Sequence, residues 1–377
     1  MSPVQHLDLA LAGCTIVVVA DRRAGDLASA LERHGATAYR APALSIVPNA
    51  DDEELMRRTA EVIADPPDII VVTTGVGFRG WMDAADEHGL AEDLHAALSH
   101  TLFIARGPKA HGAIQQAGFV ADWVAETETA AEVGEYLLTM SIAGMRIAVQ
   151  HHGSGANGLD ALLTSRGADV TTLVVYRWGP PPDRRVVDRS VAQAVSGEVD
   201  GVLFTSAPGA AAWLRVAEEL SASAAIRDRA VRGRLLLGAV GPITATVLED
   251  AGLRTTVADR GRLGSLARCA IGYFSEQGSA PSLPTRAGRV SMRSRGVVVA
   301  GTFIPLSRTA AGALSALFDA RGGVLSRDEI AAASVRAGRG AHAVEMAVAR
   351  LRESLRGIDI VQTVVKRGYR LAVEEPR

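Results

Sequence analysis

The sequence has 377 residues, 48% of them hydrophobic, and a formal net charge of −2, which is enough apolar chain for two or three cores. Its two cysteines, Cys14 and Cys269, lack the spacing of a disulfide framework or a metal site, and this is typical of a reducing cytoplasm. The apolar start from Leu7 to Ala20 contains Asp8, has no basic leader and is too short to span a bilayer, so we expect a cytoplasmic protein without membrane contact.

Charge divides the chain into an acidic body and a basic tail. Residues 286–377 contain 16 Lys or Arg and 8 Asp or Glu, whereas residues 1–285 contain 24 and 34. A basic segment of this kind predicts contact with nucleic acid through the tail.

Within the body, one segment occurs twice. Leu102 to Gly118 and Leu236 to Gly252 each have a buried strand, a Gly-Pro turn that opens a helix, and a closing glycine. Three further blocks match in the same order, from Gly13 with Gly144, Arg33 with Ser165 and Pro67 with Val199, at separations of 131 to 134 positions. This register indicates a duplicated half, and the alternation of strands and helices predicts an α/β fold with two parallel-sheet lobes.

In chain order, a strand from Thr15 to Ala20 and a helix from about Gly25 to His34 begin the first lobe. Extended, proline-containing stretches near Arg40 and Tyr176 occupy matching places in the two copies and predict two crossings between lobes. We therefore expect lobe 1 in residues 1–40 and 177–275 and lobe 2 in residues 41–176. A three-crossing sensor of the periplasmic binding type is a weaker alternative.

Polar turns follow several strands, where open α/β sheets bind ligands. Helix-start amides there can hold an anionic group, although the same Ser and Thr residues also serve as helix caps. The loop after His151 is glycine-rich without the ending of a phosphate loop, and adjacent histidines on a strand point apart, so we expect no metal. The candidate ligand-binding residues are Thr73, Thr74, Gly107, Lys109, Gln150, His151, Gly153, Ser154, Thr205, Ser206, Gly241 and Pro242.

Residues 10–275 resemble uroporphyrinogen-III synthase. The residues that carry the resemblance are Gln150 with its glycine-rich loop, Val175 to Arg177, Phe204 to Ser206, and Val240 to Thr244 followed by Leu248 and Gly252. The resemblance implies two α/β lobes with a two-strand hinge, no cofactor, and cyclisation of hydroxymethylbilane with ring inversion and loss of water.

By the same resemblance, Tyr176 and Thr244 are the candidate catalytic residues. A phenol near the leaving hydroxyl can assist its departure, whereas the alternative is that Tyr176 packs as a hinge aromatic against Trp178. The first copy departs from the family pattern, because Thr73-Thr74-Gly75 replaces a Thr-Ser turn and Ala110 replaces a threonine.

The composition from Ser275 to Gly296 changes to Ser, Gly, Pro and Arg, which predicts a linker over residues 276–296. A strand pair from Val297, a helix from Arg308 to Ala320, a capping box at Ser326–Glu329, a helix from about Ala341 to Arg356 and a basic hairpin from Ile360 follow.

Residues 297–377 resemble the winged-helix effector domain of response regulators. The resemblance rests on Leu306-Ser307, Gly323 to Glu329, Val344, Arg350 to Arg352, Leu355 and Arg367 to Arg370. It implies that the third helix enters the major groove of double-stranded DNA and that the wing contacts the backbone. The candidate DNA-binding residues are His342, Met346, Arg350, Arg352, Lys366, Arg367 and Tyr369.

Two functions fit these resemblances. The first is a transcription regulator whose body senses a small anionic ligand, such as a tetrapyrrole-related compound, in the cleft between its lobes. It would act as a homodimer or with a partner regulator. Proteins with this fusion resemble regulators of nitrite or nitrate assimilation. The second is an active uroporphyrinogen-III synthase with an accessory tail.

Overall fold

The computed structural model describes residues 9–20, 23–48, 53–151, 158–333 and 341–374. The chain forms two compact units, which we call unit 1 (residues 1–44 and 181–377) and unit 2 (residues 45–180). Unit 1 contains lobe 1, which extends to Phe274, and a C-terminal module that begins at Ser282. None of the helices in the described ranges combines the length and apolarity that a membrane span requires.

The strands and helices alternate through most of the chain. The strands are β1 (Thr15–Val19), β2 (Thr37–Arg40), β3 (Ser45–Pro48), β4 (Ile69–Val72), β5 (Leu102–Ala105), β6 (Trp123–Val124), β7 (Arg146–His151), β8 (Asp169–Val174), β9 (Tyr176–Gly179), β10 (Gly201–Phe204), β11 (Leu236–Ala239), β12 (Thr256–Val257), β13 (Ser282–Thr285), β14 (Gly288–Arg293), β15 (Gly296–Val299), β16 (Thr302–Pro305), β17 (Val361–Val364) and β18 (Gly368–Leu371). The helices are α1 (Ala24–Glu32), α2 (Glu53–Ala64), α3 (Gly75–Glu87), α4 (Ala91–Ala97), α5 (Pro108–Gln116), α6 (Ala130–Leu138), α7 (Leu159–Ser165), α8 (Arg184–Ser196), α9 (Ala207–Glu219), α10 (Ser223–Val231), α11 (Pro242–Asp250), α12 (Leu263–Phe274), α13 (Arg308–Asp319), α14 (Arg327–Ala333) and α15 (Ala341–Ser354).

Lobe 1 is built on a five-stranded parallel sheet with the order β12-β11-β10-β1-β2. Apart from the partly buried Thr15 at the start of β1, the central strands carry no polar side chain and are buried on both faces, which is the pattern of a parallel sheet covered by helices on each side. One resulting core joins residues of β1 to Leu27 and Leu31 of α1 and Leu266 of α12.

Unit 2 is built on a second five-stranded parallel sheet with the order β6-β5-β4-β7-β8. A separate antiparallel pair, β3 with β9, lies where the chain enters and leaves this unit. The chain therefore passes between units twice, and the predicted α/β fold with two parallel-sheet lobes is confirmed.

The two sheets have equivalent strand orders, and each contains strands from both copies of the repeat. The first copy supplies β1 and β2 to lobe 1 and β4, β5 and β6 to unit 2, whereas the second copy supplies β7 and β8 to unit 2 and β10, β11 and β12 to lobe 1. A buried indole repeats as well. Nε1 of Trp81 donates to Oγ1 of Thr59 at 2.8 Å, and Nε1 of Trp213 donates to Oγ of Ser190 at 2.9 Å.

The C-terminal module has a four-stranded antiparallel sheet in the order β13-β14-β15-β16, followed by three helices and the β17–β18 hairpin. The predicted winged-helix architecture is confirmed. The predicted capping box is also present, because Glu329 N donates to Oγ of Ser326 at 3.2 Å and Ser326 N donates to Oε2 of Glu329 at 2.7 Å.

The interpretation of residues 276–296 as a linker requires correction. The segment carries β13 and β14, and it places Val290 in the core of the module. Short strands with apolar residues on only one face contribute few hydrophobic residues, so the Ser, Gly and Arg between them dominated the composition.

Candidate functional site

In unit 2, the carboxyl ends of β4 and β7 are joined by hydrogen bonds through Gln150. Oγ1 of Thr73 donates to the Gln150 carbonyl at 2.6 Å, and Thr74 N donates to Oε1 of Gln150 at 3.2 Å. Thr74 is the N-cap of α3, since its Oγ1 accepts from Gly77 N at 3.1 Å. Gln150 is fully buried and Thr73 nearly so. These two side chains thus shape the turn from within, and Thr74 is the partly exposed member of the group.

The next turn along this edge is cationic. Gly107 is the N-cap of α5, Pro108 begins the helix and Lys109 is exposed. Directly before them lies Arg106, whose burial lowers the pKa of its guanidinium below the ordinary value, while nearby Tyr176 and Glu128 oppose this shift. Within the described part of the chain, the Arg106 guanidinium makes no hydrogen bond or ion pair. Such a group is suited to a carboxylate from a ligand.

His151 ends β7 and is held by a carboxylate of α7. Its Nε2 lies 2.6 Å from Oδ1 of Asp160, and Oδ2 of Asp160 accepts from Oγ1 of Thr172 at 2.7 Å. Burial alone would raise the pKa of Asp160, but the hydrogen bonds from His151 and Thr172 outweigh it and hold the pKa below its ordinary value. His151 is 1% exposed, so its side chain has a structural contact with Asp160 and is not available at the surface. Gly153 and Ser154 of that loop lie outside the described residues.

Tyr176 lies at the start of β9, in the antiparallel strand pair. It is 5% exposed and contacts Trp178 edge to face, with ring centroids 5.4 Å apart. The contact between Tyr176 and Trp178 that the alternative interpretation expects is therefore present. Tyr176 also interacts electrostatically with the Arg106 guanidinium.

In lobe 1, the equivalent sheet edge carries hydroxyl groups. Ser206 is the N-cap of α9 and accepts from Gly209 N at 3.2 Å, with Thr205 partly buried beside it. Gly241 is the N-cap of α11 and Pro242 begins that helix. Thr244, at the third position of α11, is 4% exposed.

The DNA-binding candidates of the module fall into two groups. Exposed groups on α15 and the hairpin tip are His342, Met346, Arg350, Lys366 and Arg367. Arg352 and Tyr369 have structural contacts instead. Nη2 of Arg352 donates to the Val361 carbonyl at 3.0 Å and to Oγ1 of Thr363 at 2.8 Å, and Tyr369 is 8% exposed with the Arg352 guanidinium 5.8 Å from its ring centroid. These two residues fix the hairpin against the helix.

Sequence reasoning missed Arg106. A signal was available, because aligning the two repeats places Arg106 opposite Val240, so that a charged residue replaces an apolar one at a strand end. A charged residue in one copy of a repeat, at a position that is apolar in the other copy, indicates a role that the two copies do not share.

Comparison with known proteins identifies both parts of the chain. Residues 25–268 match the family model described as uroporphyrinogen-III synthase HemD, and residues 301–371 match the C-terminal domain of transcriptional regulatory proteins. The chain is 26% identical to the uncharacterized protein YjjA of Bacillus subtilis over 270 residues, which are 71% of this chain and 98% of that protein.

Two further comparisons concern synthases. A putative uroporphyrinogen-III synthase of Methanothermobacter thermautotrophicus is 29% identical over 157 residues, covering 41% of this chain and 59% of that protein. A crystal structure of a mutant uroporphyrinogen III synthase from Thermus thermophilus has a TM-score of 0.54 at 26% identity and covers 68% of this chain and 96% of that one. The fusion with a regulatory domain supports a DNA-binding regulator. The chain belongs to the uroporphyrinogen-III synthase HemD family and carries a C-terminal DNA-binding domain of the transcriptional-regulator type.

Proposed function

We propose that the protein is a transcription regulator whose synthase-like body binds a small polycarboxylate and thereby alters DNA binding by the C-terminal module. The observation that carries the proposal is the presence, in one chain, of a family-matched body over residues 25–268 and a regulatory DNA-binding domain over residues 301–371.

The DNA side of the proposal is supported by the exposed cations of the module. Arg350 on α15 and Lys366 and Arg367 at the hairpin tip are exposed and available to phosphates or bases. The test is a gel-shift competition at moderate salt between the promoter region of the protein's own gene and random duplex DNA. We expect preference for the promoter region, and equal binding of both would contradict specific regulation.

The ligand side is supported by the cationic turn of unit 2. Arg106 and Lys109 flank Gly107 at the carboxyl end of β5, where an α/β sheet offers helix-start amides to anions. A suitable probe is uroporphyrin III, a stable tetrapyrrole with eight carboxylates. Calorimetric titration should show saturable binding, and absence of binding would remove the tetrapyrrole class from the proposal.

A second candidate function is catalysis. The family match spans both Tyr176 and Thr244, the residues that the resemblance places in the cyclisation of hydroxymethylbilane. Incubation with hydroxymethylbilane should give the type III isomer if the site is active, and Tyr176→Phe should reduce the rate. Formation of the spontaneous type I isomer alone would exclude this function.

The regulated process we propose is nitrite or nitrate assimilation. The sirohaem of nitrite reductase derives from the porphyrinogen that this family produces, so a sensor of that compound would match cofactor supply to enzyme synthesis. Deletion of the gene should change nitrite reductase transcript levels on nitrate medium. Unchanged transcripts would rule out this assignment while leaving DNA binding open.

A further inference from the structure

An aspartate that is repeated in the two halves has different surroundings in each. Asp68 precedes β4 and its Oδ2 accepts from Arg146 N, while Asp200 precedes β10 and its Oδ2 accepts from Thr15 N, both at 2.8 Å. Asp68 has an exposed side chain and an ion pair with Arg146. Asp200 is 7% exposed, and its second oxygen, Oδ1, accepts from the backbone N–H of Ser294 in the C-terminal module at 2.8 Å.

The β14–β15 turn continues this contact along the amino edge of the lobe 1 sheet. Oγ of Ser294 donates to Oγ1 of Thr15 at 2.9 Å, and Arg295 N donates to the Gly13 carbonyl at 3.2 Å. A methyl group at Gly13 would overlap the ring of Phe303 from β16, whereas a methyl group at Gly144, the equivalent glycine of the other copy, would meet nothing within 4 Å. Phe303 of the C-terminal module therefore packs directly against Gly13 of lobe 1, where a larger residue would not fit.

A second fastening joins α13 to the loop before β11. The Arg234 guanidinium donates to Oδ1 of Asp319 at 2.8 Å and to Oγ of Ser315 at 2.9 Å, and it lies 5.1 Å from the centroid of the Phe318 ring. The Arg234 side chain is only 16% exposed. These three contacts hold the loop before β11 against α13, and removal of one partner would leave a largely buried guanidinium without its ion pair.

The helix that receives Arg234 also supports the DNA-reading helix. Leu314 and Leu317 of α13 share one apolar core with Val344 and Leu351 of α15. A continuous set of contacts thus runs from the amino edge of the lobe 1 sheet through α13 to α15, while the α15 side chains His342 and Arg350 are exposed.

We propose that the C-terminal module and lobe 1 act as one rigid body, fastened through Asp200 and Arg234, so that conformational changes in the lobe 1 sheet and in the DNA-binding surface are coupled directly. Segment 276–296 then serves as a structural part of the joint. Only the role of this coupling in transcription regulation rests on the proposed function. The mechanical coupling itself is a property of unit 1.

The test uses the full-length protein and amide hydrogen exchange, because Thr15 and Ser294 donate the two amides that Asp200 accepts. Asp200→Asn should accelerate exchange of peptides containing these amides by at least about tenfold, and Asp68→Asn, the matched control, should leave them unchanged. Binding of a nonspecific DNA duplex at low salt should slow exchange in β1 of the wild type and of Asp68→Asn, with the slowing lost in Asp200→Asn.

Two results would overturn the coupling: equal exchange in Asp200→Asn and Asp68→Asn, or DNA binding that leaves β1 exchange unchanged in the wild type. If Asp200→Asn does not fold, Arg234→Gln replaces it, with Arg227→Gln as control, since Arg227 bonds the carbonyls of Ala251 and Gly252 within lobe 1. Should the protein fail to bind DNA at all, the proposed function falls, and the exchange comparison without DNA still decides whether the joint is rigid.

Discussion

His151 and Asp160 form a hydrogen bond of 2.6 Å between Nε2 and Oδ1 at the carboxyl end of β7. The histidine is the last residue of the strand and the aspartate lies in the first turn of α7, so this bond joins the end of β7 to the start of α7. Thr172 on β8 completes the arrangement by donating to the other carboxylate oxygen.

We expect Asp160→Asn to reduce the free energy of unfolding by about 1.5–3 kcal/mol, the usual range for a hydrogen bond to a charged group. The folded-state pKa of Asp160 is lowered, so its contribution is present above the unfolded value of about 3.9 and is lost as the pH falls through the folded-state pKa. In urea titrations, the difference between wild type and variant should therefore shrink below about pH 4. Asp169→Asn, on the exposed side of β8, is the control, and a difference that grows with acidity would contradict the prediction.

The repeated indole pair predicts matched costs in the two lobes. Removal of the acceptor by Thr59→Val or Ser190→Ala leaves the Nε1 of a fully buried tryptophan without its bond, at a cost of about 1–3 kcal/mol each. Urea unfolding followed by tryptophan fluorescence measures both. Ser196→Ala on the same helix as Ser190 should have little effect, because its hydroxyl is exposed. Equal stability of Ser190→Ala and Ser196→Ala would show that the bond contributes nothing.

Arg106 should determine the affinity for polycarboxylates. We expect Arg106→Gln to weaken binding of uroporphyrin III by roughly ten- to a hundredfold, as for loss of a charge-assisted hydrogen bond of about 1.5–3 kcal/mol. Titration calorimetry gives the affinity, and Arg79→Gln, an exposed neighbour on α3 that bonds Gln116, is the control. An Arg106→Gln affinity equal to that of the wild type would place the carboxylates elsewhere.

For DNA, the exposed cations predict a change in salt dependence. Substitution of Lys366 or Arg367 by alanine should weaken binding to all DNA sequences. It should also reduce the magnitude of the negative slope of log affinity against log salt by about 1, if each residue contacts one phosphate. Fluorescence anisotropy at several salt concentrations measures this slope. Arg33→Ala in lobe 1 is the control, and an unchanged slope in the wing variants would exclude phosphate contacts by the wing.

The local features of the chain were predictable because they depend on residues close in sequence. Strand hydrophobicity, the Gly-Pro helix starts and the Ser326–Glu329 capping box each need fewer than about 15 residues to specify. The role of Asp200 could not be predicted, since its partner Ser294 is 94 residues away and Asp68 presents the same local pattern in a different environment. Burial of Gln150 and Thr244 likewise depends on neighbouring elements.

The mixed origin of both sheets has a consequence for the history of the chain. A polypeptide equal to one repeat has two strands in one sheet and three in the other, and these five strands are the equivalents, position by position, of one complete sheet. Two such half-length chains could exchange strands and complete both sheets together. Both sheets of the present chain therefore have the arrangement that results when two such five-stranded units exchange strands across the duplication.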